Sequence, residues 1–555
     1  MLPLLGASSY LEGTGKREPF NRSKVVILAL TGVSVCLLAV LFGSHRYDLG
    51  MMVGIAVAIA TVLVAARGRL RENTHFLAFI LLLVWFVTTP IASFYVRYPE
   101  ERSLVTYDRL MVSALVVLLL LTYVRPVRPN VAASDSSADR SVLTTPPIIA
   151  TKFELWWLAL TIWALLSTVL FSTNPGAAIK LAFDSFALPI IVFHTASRLV
   201  GATLIASRSR AKWLLLAAIL LAFVLVVAGT YEILTGNDAF PYKGAELIRE
   251  GELRVNGPFA SDSSYSVISA LLFIFLAAAP RIFQLKFDFG GRVVYWLSVA
   301  ACAISAMFPF FRATAVALAV SWIFLEVAAR RTAAWEQRPE ATNETEGEAY
   351  PGERVSSQTI GMQMKHLLPT AIGLGVGGLM LAAGAILLAP PALRDRLLSL
   401  RNAYGRLATW TVAAKIVYAH PVFGVGLGNY DDYFHQIYTG RNLEVELAFD
   451  THAAGQPHSN LVWIAAELGV VGISLYLLAN FYLVKAACLG LKKEGSRASR
   501  LSAACFLALI GVYWIPGFSL TSGAYSDLNL YYFFLLGLLH ANFRSRPDSI
   551  EMTPV

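Results

Sequence analysis

Residues 213–233, WLLLAAILLAFVLVVAGTYEI, decide the class of fold. They contain one acidic residue and no basic one, and as a helix they would cross a hydrocarbon core of about 30 Å. The whole chain is 56% hydrophobic and 15% charged, with a mean hydropathy of +0.60. Soluble domains lie nearer about 45–50% apolar and about 25% charged. The sequence therefore predicts a protein that crosses a membrane many times.

The same pattern recurs along the chain and predicts about 14 transmembrane helices. Helices are expected because a backbone in lipid must satisfy its own hydrogen bonds. The fold class is thus an all-α polytopic membrane protein, with a large loop between helices 11 and 12. The predicted spans lie at about 25–43, 49–66, 75–96, 110–124, 153–171, 177–197, 213–233, 263–280, 293–309, 313–329, 367–389, 459–484, 501–519 and 528–543.

The distribution of Lys and Arg predicts the orientation. With both termini inside, the cytoplasmic segments hold 30 of the 45 basic residues, as the positive-inside rule requires. The first run follows a basic lead and lacks a small-residue cleavage site, so we expect a retained anchor. The net charge of +9 is explained by these connections, and no nucleic-acid-binding motif accompanies it.

Polar connections divide the chain into regions. The linkers have compositions typical of disorder, and a loop of nearly 70 residues is usually functional or carries short helices of its own. The predicted regions are a four-helix membrane region (1–124), a cytoplasmic linker (125–150), a membrane core (151–329) with an outer loop (234–262), a disordered acidic cytoplasmic linker (330–366), a second membrane region (367–545) with an outer loop (390–458), and a cytoplasmic tail (546–555).

The sharpest motif ends the large loop, where His458 and Ser459 run directly into a span. Nine residues later come Gly469 and, after two more, Gly472, which would let this helix pack closely against a neighbour. An imidazole titrates near neutral pH and is suited to accept a proton from a hydroxyl group. The alternative is an interfacial histidine with a structural role at a helix start.

A second motif lies upstream in the same loop. Arg406 and Trp410 precede Pro421-Val-Phe-Gly424-Val-Gly426-Leu-Gly. This glycine run lacks the Lys-Ser/Thr ending of a phosphate-binding loop and does not follow a strand. It predicts a turn that holds the helices of the loop over a cavity, with an ordinary flexible loop as the alternative.

Two further arginines fall at predicted outer ends of spans. Arg254 lies in Arg-Val-Asn-Gly-Pro-Phe259, and Arg312 follows Phe311 at a turn between two spans. An arginine at an interface is often only an anchor whose head group reaches water. Guanidinium groups also bind phosphate oxygens in pairs of hydrogen bonds and stay charged at any working pH.

In this order the motifs resemble those of the O-antigen ligase and polymerase superfamily. That family has a His, then Asn, Ser or Gln, nine residues, Gly, two residues and Gly, Thr or Tyr. It also has an Arg and Trp before Pro-x-x-Gly-x-Gly-x-Gly, and an Arg-x-x-Gly-x-Phe before a span. The resemblance covers about 150–540 and is strongest over 400–475; Phe311 stands where the family often has Ser.

The resemblance implies a GT-C-type, metal-independent, inverting glycosyltransferase of the bacterial inner membrane, without a cofactor. It would move a glycan from undecaprenyl pyrophosphate, on the periplasmic face, to lipid A–core (a ligase) or to a growing glycan (a polymerase). His458 would be the catalytic base, and Arg254, Arg312 and Arg406 would bind the pyrophosphate. The supporting residues would be Trp410, Gly424, Gly426, Ser459, Gly469 and Gly472.

Two other function classes remain open from the sequence. A transporter or flippase of lipid-linked sugars would line a path with polar residues, and Lys180, Asp184, His194 and Glu467 are intramembrane candidates. Lys180 and Asp184 are four residues apart and are suited to pair on one helix face. A non-catalytic scaffold would make His458 dispensable.

Overall fold

A computed structural model describes most of the chain from Thr74 to Arg544. The described residues are 74–95, 97–98, 105–124, 151–201, 204, 208–240, 248–249, 252–259, 261–309, 311–336, 401–439, 456–492 and 496–544. All belong to one compact unit, Leu70–Val555. The predicted spans at 25–43, 49–66 and 367–389, the linker 125–150 and the tail 546–555 lie outside the described residues.

The regular secondary structure of the described residues is helical apart from two short antiparallel β pairs, β1 with β2 and β3 with β4. In chain order the elements are α1 (Thr74–Tyr95), β1 (Arg97–Tyr98), β2 (Val105–Thr106), α2 (Tyr107–Val124), α3 (Lys152–Phe171), α4 (Pro175–Val200, with π-helical turns at Phe183–Ala187 and Ala196–Gly201), α5 (Arg208–Thr235), β3 (Ile248–Arg249), β4 (Glu252–Leu253), α6 (Asp262–Ile282), α7 (Phe289–Met307), α8 (Arg312–Glu336), α9 (Arg401–Ala419), α10 (Tyr430–Thr439), α11 (Asn460–Lys492), α12 (Arg497–Gly517), a 3-10 turn (Ser522–Ala524) and α13 (Ser526–Arg544).

Eight helices of the described residues, α3 to α8 with α11 and α12, are long and apolar enough to cross a membrane. The prediction of a helical membrane protein is confirmed at this level. The total of 14 spans, the GT-C-type fold and the cytoplasmic location of the termini stay predictions.

One boundary was predicted wrongly. Helix α8 continues to Glu336, so it covers the first seven positions assigned to the acidic linker 330–366. The residues Ala-Ala-Arg-Arg-Thr-Ala-Ala at 328–334 are mostly good helix formers. The charges of Arg330 and Arg331 end the apolar run, but the helix continues past them.

Several helix starts follow directly from the local sequence. Thr151 caps α3 and forms a capping box with Glu154. Asn174 caps α4 just before a proline at the first helical position. Ser261 caps α6 by accepting a hydrogen bond from the backbone N–H of Ser264.

Helix α13 lies in the centre of the bundle and packs against α4, α6 and α12. Every residue from 528 to 540 is buried, the pattern of a helix surrounded by other helices. Tyr532 stacks on Tyr513 of α12, with ring centroids 4.0 Å apart.

Hydrogen bonds from side chains connect the starts of several helices at one end of the bundle, which is the end predicted to face outside. Ser264, at the start of α6, donates a hydrogen bond to Asp527 at the start of α13 (3.1 Å). Asn460, at the start of α11, accepts one from the N–H of Gly523 (2.8 Å). The candidate site lies on loops and helix starts at this same end.

Candidate active site

Helix α11 is interrupted at Gly469, the first glycine after His458. Its φ of 65° and ψ of −165° are non-helical and belong to a region that is essentially restricted to glycine. Beyond it, Val470 and Val471 donate their N–H groups to residues outside the helix. They donate to the carbonyl oxygens of Pro421 and Val422, at 2.9 and 3.3 Å.

The carbonyl groups on the other side of the break are satisfied by the same turn. Ala466 accepts from the N–H of Val425 (3.1 Å), and Glu467 accepts from that of Gly426 (2.9 Å). The turn 421–428 is thus joined to α11 by backbone hydrogen bonds in both directions. This pairing satisfies groups that would otherwise be exposed at the break.

The carboxylate of Glu467 fastens the end of this turn. It is 3% exposed and accepts hydrogen bonds from the N–H of Gly428 (2.9 Å), the N–H of Tyr430 (3.1 Å) and Nε1 of Trp463 (2.7 Å). Buried polar groups need hydrogen-bond partners, and these three donors supply them for both oxygens of the carboxylate. The sequence had marked Glu467 only as an intramembrane polar residue, whereas its contacts make it the anchor of the glycine turn.

Backbone conformation and steric contacts explain why glycines occupy this junction. Gly424 and Gly426 have positive φ values of 72° and 97°. A Cβ on Gly424 would overlap the backbone of Glu467, and a Cβ on Gly469 would overlap the carbonyl oxygen of Val422. The close approach expected at Gly469 is made at a break in the helix, against the turn 421–428.

Gly472 lies one turn after the break. A Cβ there would overlap the side chain of Leu468 in the same helix. The carbonyl of Leu468 accepts a hydrogen bond from Nε1 of Trp163 on α3 (3.1 Å). Because Gly472 has no side chain, it leaves room for the Leu468 side chain in the distorted turn of α11.

Asn429 ties the turn to the end of α3. Its amide donates to the carbonyl groups of Phe171 and Val425, both at 2.8 Å. Its Oδ1 accepts from the N–H and the hydroxyl group of Thr173, at 3.1 and 2.9 Å. Nothing in the sequence pattern had singled out this asparagine.

Two aromatic side chains hold α9 in position. Nε1 of Trp410 donates to the carbonyl oxygen of Pro457 (2.8 Å), directly before His458. The hydroxyl group of buried Tyr430 donates to the carbonyl oxygen of Thr409 (2.7 Å). The helix that carries Arg406 is thus fixed against the segment that carries the histidine.

His458 is half-buried and has a φ of 49°. A left-handed backbone is uncommon for a residue other than glycine and costs of order 1–3 kcal/mol. The next residue, Ser459, is buried, and its carbonyl accepts from the N–H of Trp463 (2.9 Å), which starts α11. His458 therefore occupies a strained position immediately before a fixed helix start.

Arg312 and Arg406 lie near enough for their charges to interact. The pKa of Arg406 is lowered, first because burial penalises the charged guanidinium and then because Arg312 repels it. Arginine remains charged at neutral pH even so. One half-buried guanidinium group, that of Arg406, and one exposed guanidinium group, that of Arg312, in one region make a favourable environment for a multivalent anion.

Arg254 lies in a separate, well-fixed segment. Glu232 of α5 accepts from the N–H groups of Asn256 and Gly257, both at 2.9 Å, and Phe259 is fully buried. The Nε of Arg254 is buried and has no acceptor among the described residues. The contacts among described residues do not link Arg254 to His458, Arg312 or Arg406.

The structure thus brings together most of the predicted site residues in two groups. Trp410 meets the residue before His458, and Gly424 and Gly426 meet the broken helix at Gly469. Glu467 and Asn429 were missed as members of this site. The sequence signal available for Glu467 was its position inside an apolar run, two residues before Gly469. The preceding loop also contains the glycine turn 421–428, which is rich in N–H groups.

Two of the intramembrane residues that are candidates for a transport path, Asp184 and His194, have partners within the bundle. Arg109 of α2 donates to both oxygens of Asp184 of α4, at 2.7 to 3.0 Å. Nδ1 of His194 lies 2.7 Å from Glu154. These contacts fit a structural role for the pairs, with Asp184 held by another helix than the one that carries Lys180.

No protein-family model matches the chain, and no curated protein sequence matches it.

Proposed function

We propose that this protein is a membrane glycosyltransferase that moves a glycan from undecaprenyl pyrophosphate to an acceptor hydroxyl group. The observation that carries the proposal is the hydrogen bond from Trp410 to Pro457. It fixes the helix of Arg406 against the residue before His458, and Arg406 in turn interacts with Arg312. A candidate base and two candidate anion-binding groups thus belong to one connected region.

In the proposed reaction the acceptor oxygen bonds to the anomeric carbon of the donor sugar. The bond from that carbon to the pyrophosphate oxygen breaks, and the pyrophosphate keeps the electron pair. The hydroxyl proton passes to His458 and then to solvent. Attack opposite the leaving group inverts the anomeric configuration. The activated donor supplies the free energy, so no nucleotide is required.

The arginines have two roles in this scheme. They bind the pyrophosphate oxygens of the donor, and they stabilise the charge that develops on the leaving group. Arg254 is proposed to join them, because its buried Nε has no acceptor among the described residues. The acceptor is lipid A–core for a ligase and a growing glycan for a polymerase; we favour the ligase.

Replacing Arg406 with glutamine tests the anion-binding role. We expect the KM for the lipid-pyrophosphate donor to rise about 10- to 100-fold, the equivalent of one charge-assisted hydrogen bond. The thermal stability of the donor-free protein should not fall, because the fold already disfavours this charge. Added inorganic pyrophosphate should raise the melting temperature of the wild type more than that of the variant.

Lys415→Gln is the matched control, since it removes one exposed positive charge from the same helix. If Lys415→Gln weakens donor binding as much as Arg406→Gln does, the effect is general electrostatic attraction, and a specific pyrophosphate site is contradicted.

A further inference from the structure

An apolar groove of about 440 Å³ runs between α9 and the first half of α11. Seven side chains line it, and all are apolar or aromatic. They are Trp410, Ala413, Ala414, Val417, Tyr418, Val462 and Ala465. Tyr418 is 90% exposed and Trp410 is 37% exposed, so the groove is open along its length. This is surface that water wets poorly and that a hydrocarbon chain fills well.

The residues of α9 in this groove follow helical spacing and continue to a charge. Trp410, Ala413 and Val417 are three and four residues apart and share one face. Arg406 precedes Trp410 by four residues and falls on that same face. The groove therefore has a cationic group, close to Arg312, at one end and only apolar groups along the remainder.

This combination complements one class of ligand. An anionic head group fits at Arg406 and Arg312, and a long hydrocarbon chain fits along Trp410 to Tyr418. Eight residues of helix extend about 12 Å, which is enough for the first part of such a chain. The chain then continues from the open side of the groove into lipid.

We propose that the groove binds the head-proximal part of the polyprenyl chain of the donor and so aligns its pyrophosphate with the arginines. This rests on the proposed function for the identity of the donor. Trp410 then has two roles, because its indole ring lines the groove while its N–H holds Pro457. Binding of the polyprenyl chain and the position of the segment that carries His458 therefore both depend on the Trp410 side chain.

Two donors that carry the same glycan test this assignment, one on a long polyprenyl pyrophosphate and one on a chain of two isoprene units. Ala414→Trp should fill the groove without changing Arg406 or His458. We expect it to reduce the preference for the long donor, measured as the ratio of the two KM values, by about tenfold or more, or about 1.4 kcal/mol. Ala419→Trp is the control: it lies exposed on the opposite face of α9 and should keep the wild-type ratio.

Photocrosslinking separates this assignment from the proposed function, because it requires no turnover. A benzophenone-bearing polyprenyl pyrophosphate should label the segments around Ala414 and Val462 in vesicles, and excess polyprenyl pyrophosphate should remove the label. Equal competition by phospholipid would identify ordinary lipid as the occupant and overturn the proposal. An unchanged KM ratio in Ala414→Trp would also overturn it. Labelling with no glycan transfer by the wild type would reject the proposed reaction while retaining the groove.

Discussion

Replacing His458 with alanine is expected to lower the rate of glycan transfer by about 10²- to 10⁴-fold, the usual contribution of a general base. The donor KM should change little, because the arginines are proposed to bind the pyrophosphate. The strained backbone at this position is the structural reason to expect function here: a φ of 49° has a cost, and such outliers concentrate at functional sites. The rate is measured with purified protein in lipid at saturating donor.

The exposed His435 on α10 provides the control. His435→Ala removes an imidazole from the same loop and should retain the wild-type rate. Full transfer by folded His458→Ala protein would make this histidine a structural residue at a helix start and would favour the scaffold.

Replacing Gly469 with alanine is expected to give the largest loss of stability. Its φ and ψ lie in a region that other residues do not adopt, at a cost of order 1–3 kcal/mol. The new Cβ would also overlap the carbonyl oxygen of Val422. Since the turn 421–428 is bonded to this break, we expect the loop to detach and transfer to be lost together. Thermal unfolding and proteolysis of the loop in vesicles report the two effects.

Gly290→Ala is the matched control, because no atom lies within 4 Å of a Cβ at that exposed position of α7. It should be neutral or stabilising, by up to about 1 kcal/mol. A Gly469→Ala protein that unfolds like wild type and keeps its loop protected would mean that the helix tolerates an ordinary residue at the break.

The sequence predicted the helical class correctly because a long apolar run such as 213–233 allows few other structures. It also predicted that the glycine motif forms a turn, whereas the supporting role of Trp410 at a catalytic site stays a prediction. These predictions depended on local patterns: hydropathy, caps such as Thr151, and glycine spacing. Patterns of this kind reflect interactions between residues that are close in the chain.

The sequence did not predict the junction between the glycine turn and α11. Glu467 looks like an isolated charge in an apolar run, and only the fold brings Gly428 and Tyr430 to its carboxylate. For the same reason the sequence suggests that Asp184 pairs with Lys180, four residues away. In the structure Arg109 on another helix donates hydrogen bonds to Asp184. Interactions between distant segments depend on packing, which no local pattern records.

The most direct test of the central claim uses purified wild-type protein in vesicles, with a lipid-pyrophosphate-linked glycan, an acceptor glycan or lipid A–core, and no nucleotide or metal. We expect one polyprenyl pyrophosphate to be released for each glycan transferred, with inversion at the anomeric carbon. No transfer in the presence of either acceptor, together with movement of the intact lipid-linked glycan between leaflets, would contradict it and establish a transporter.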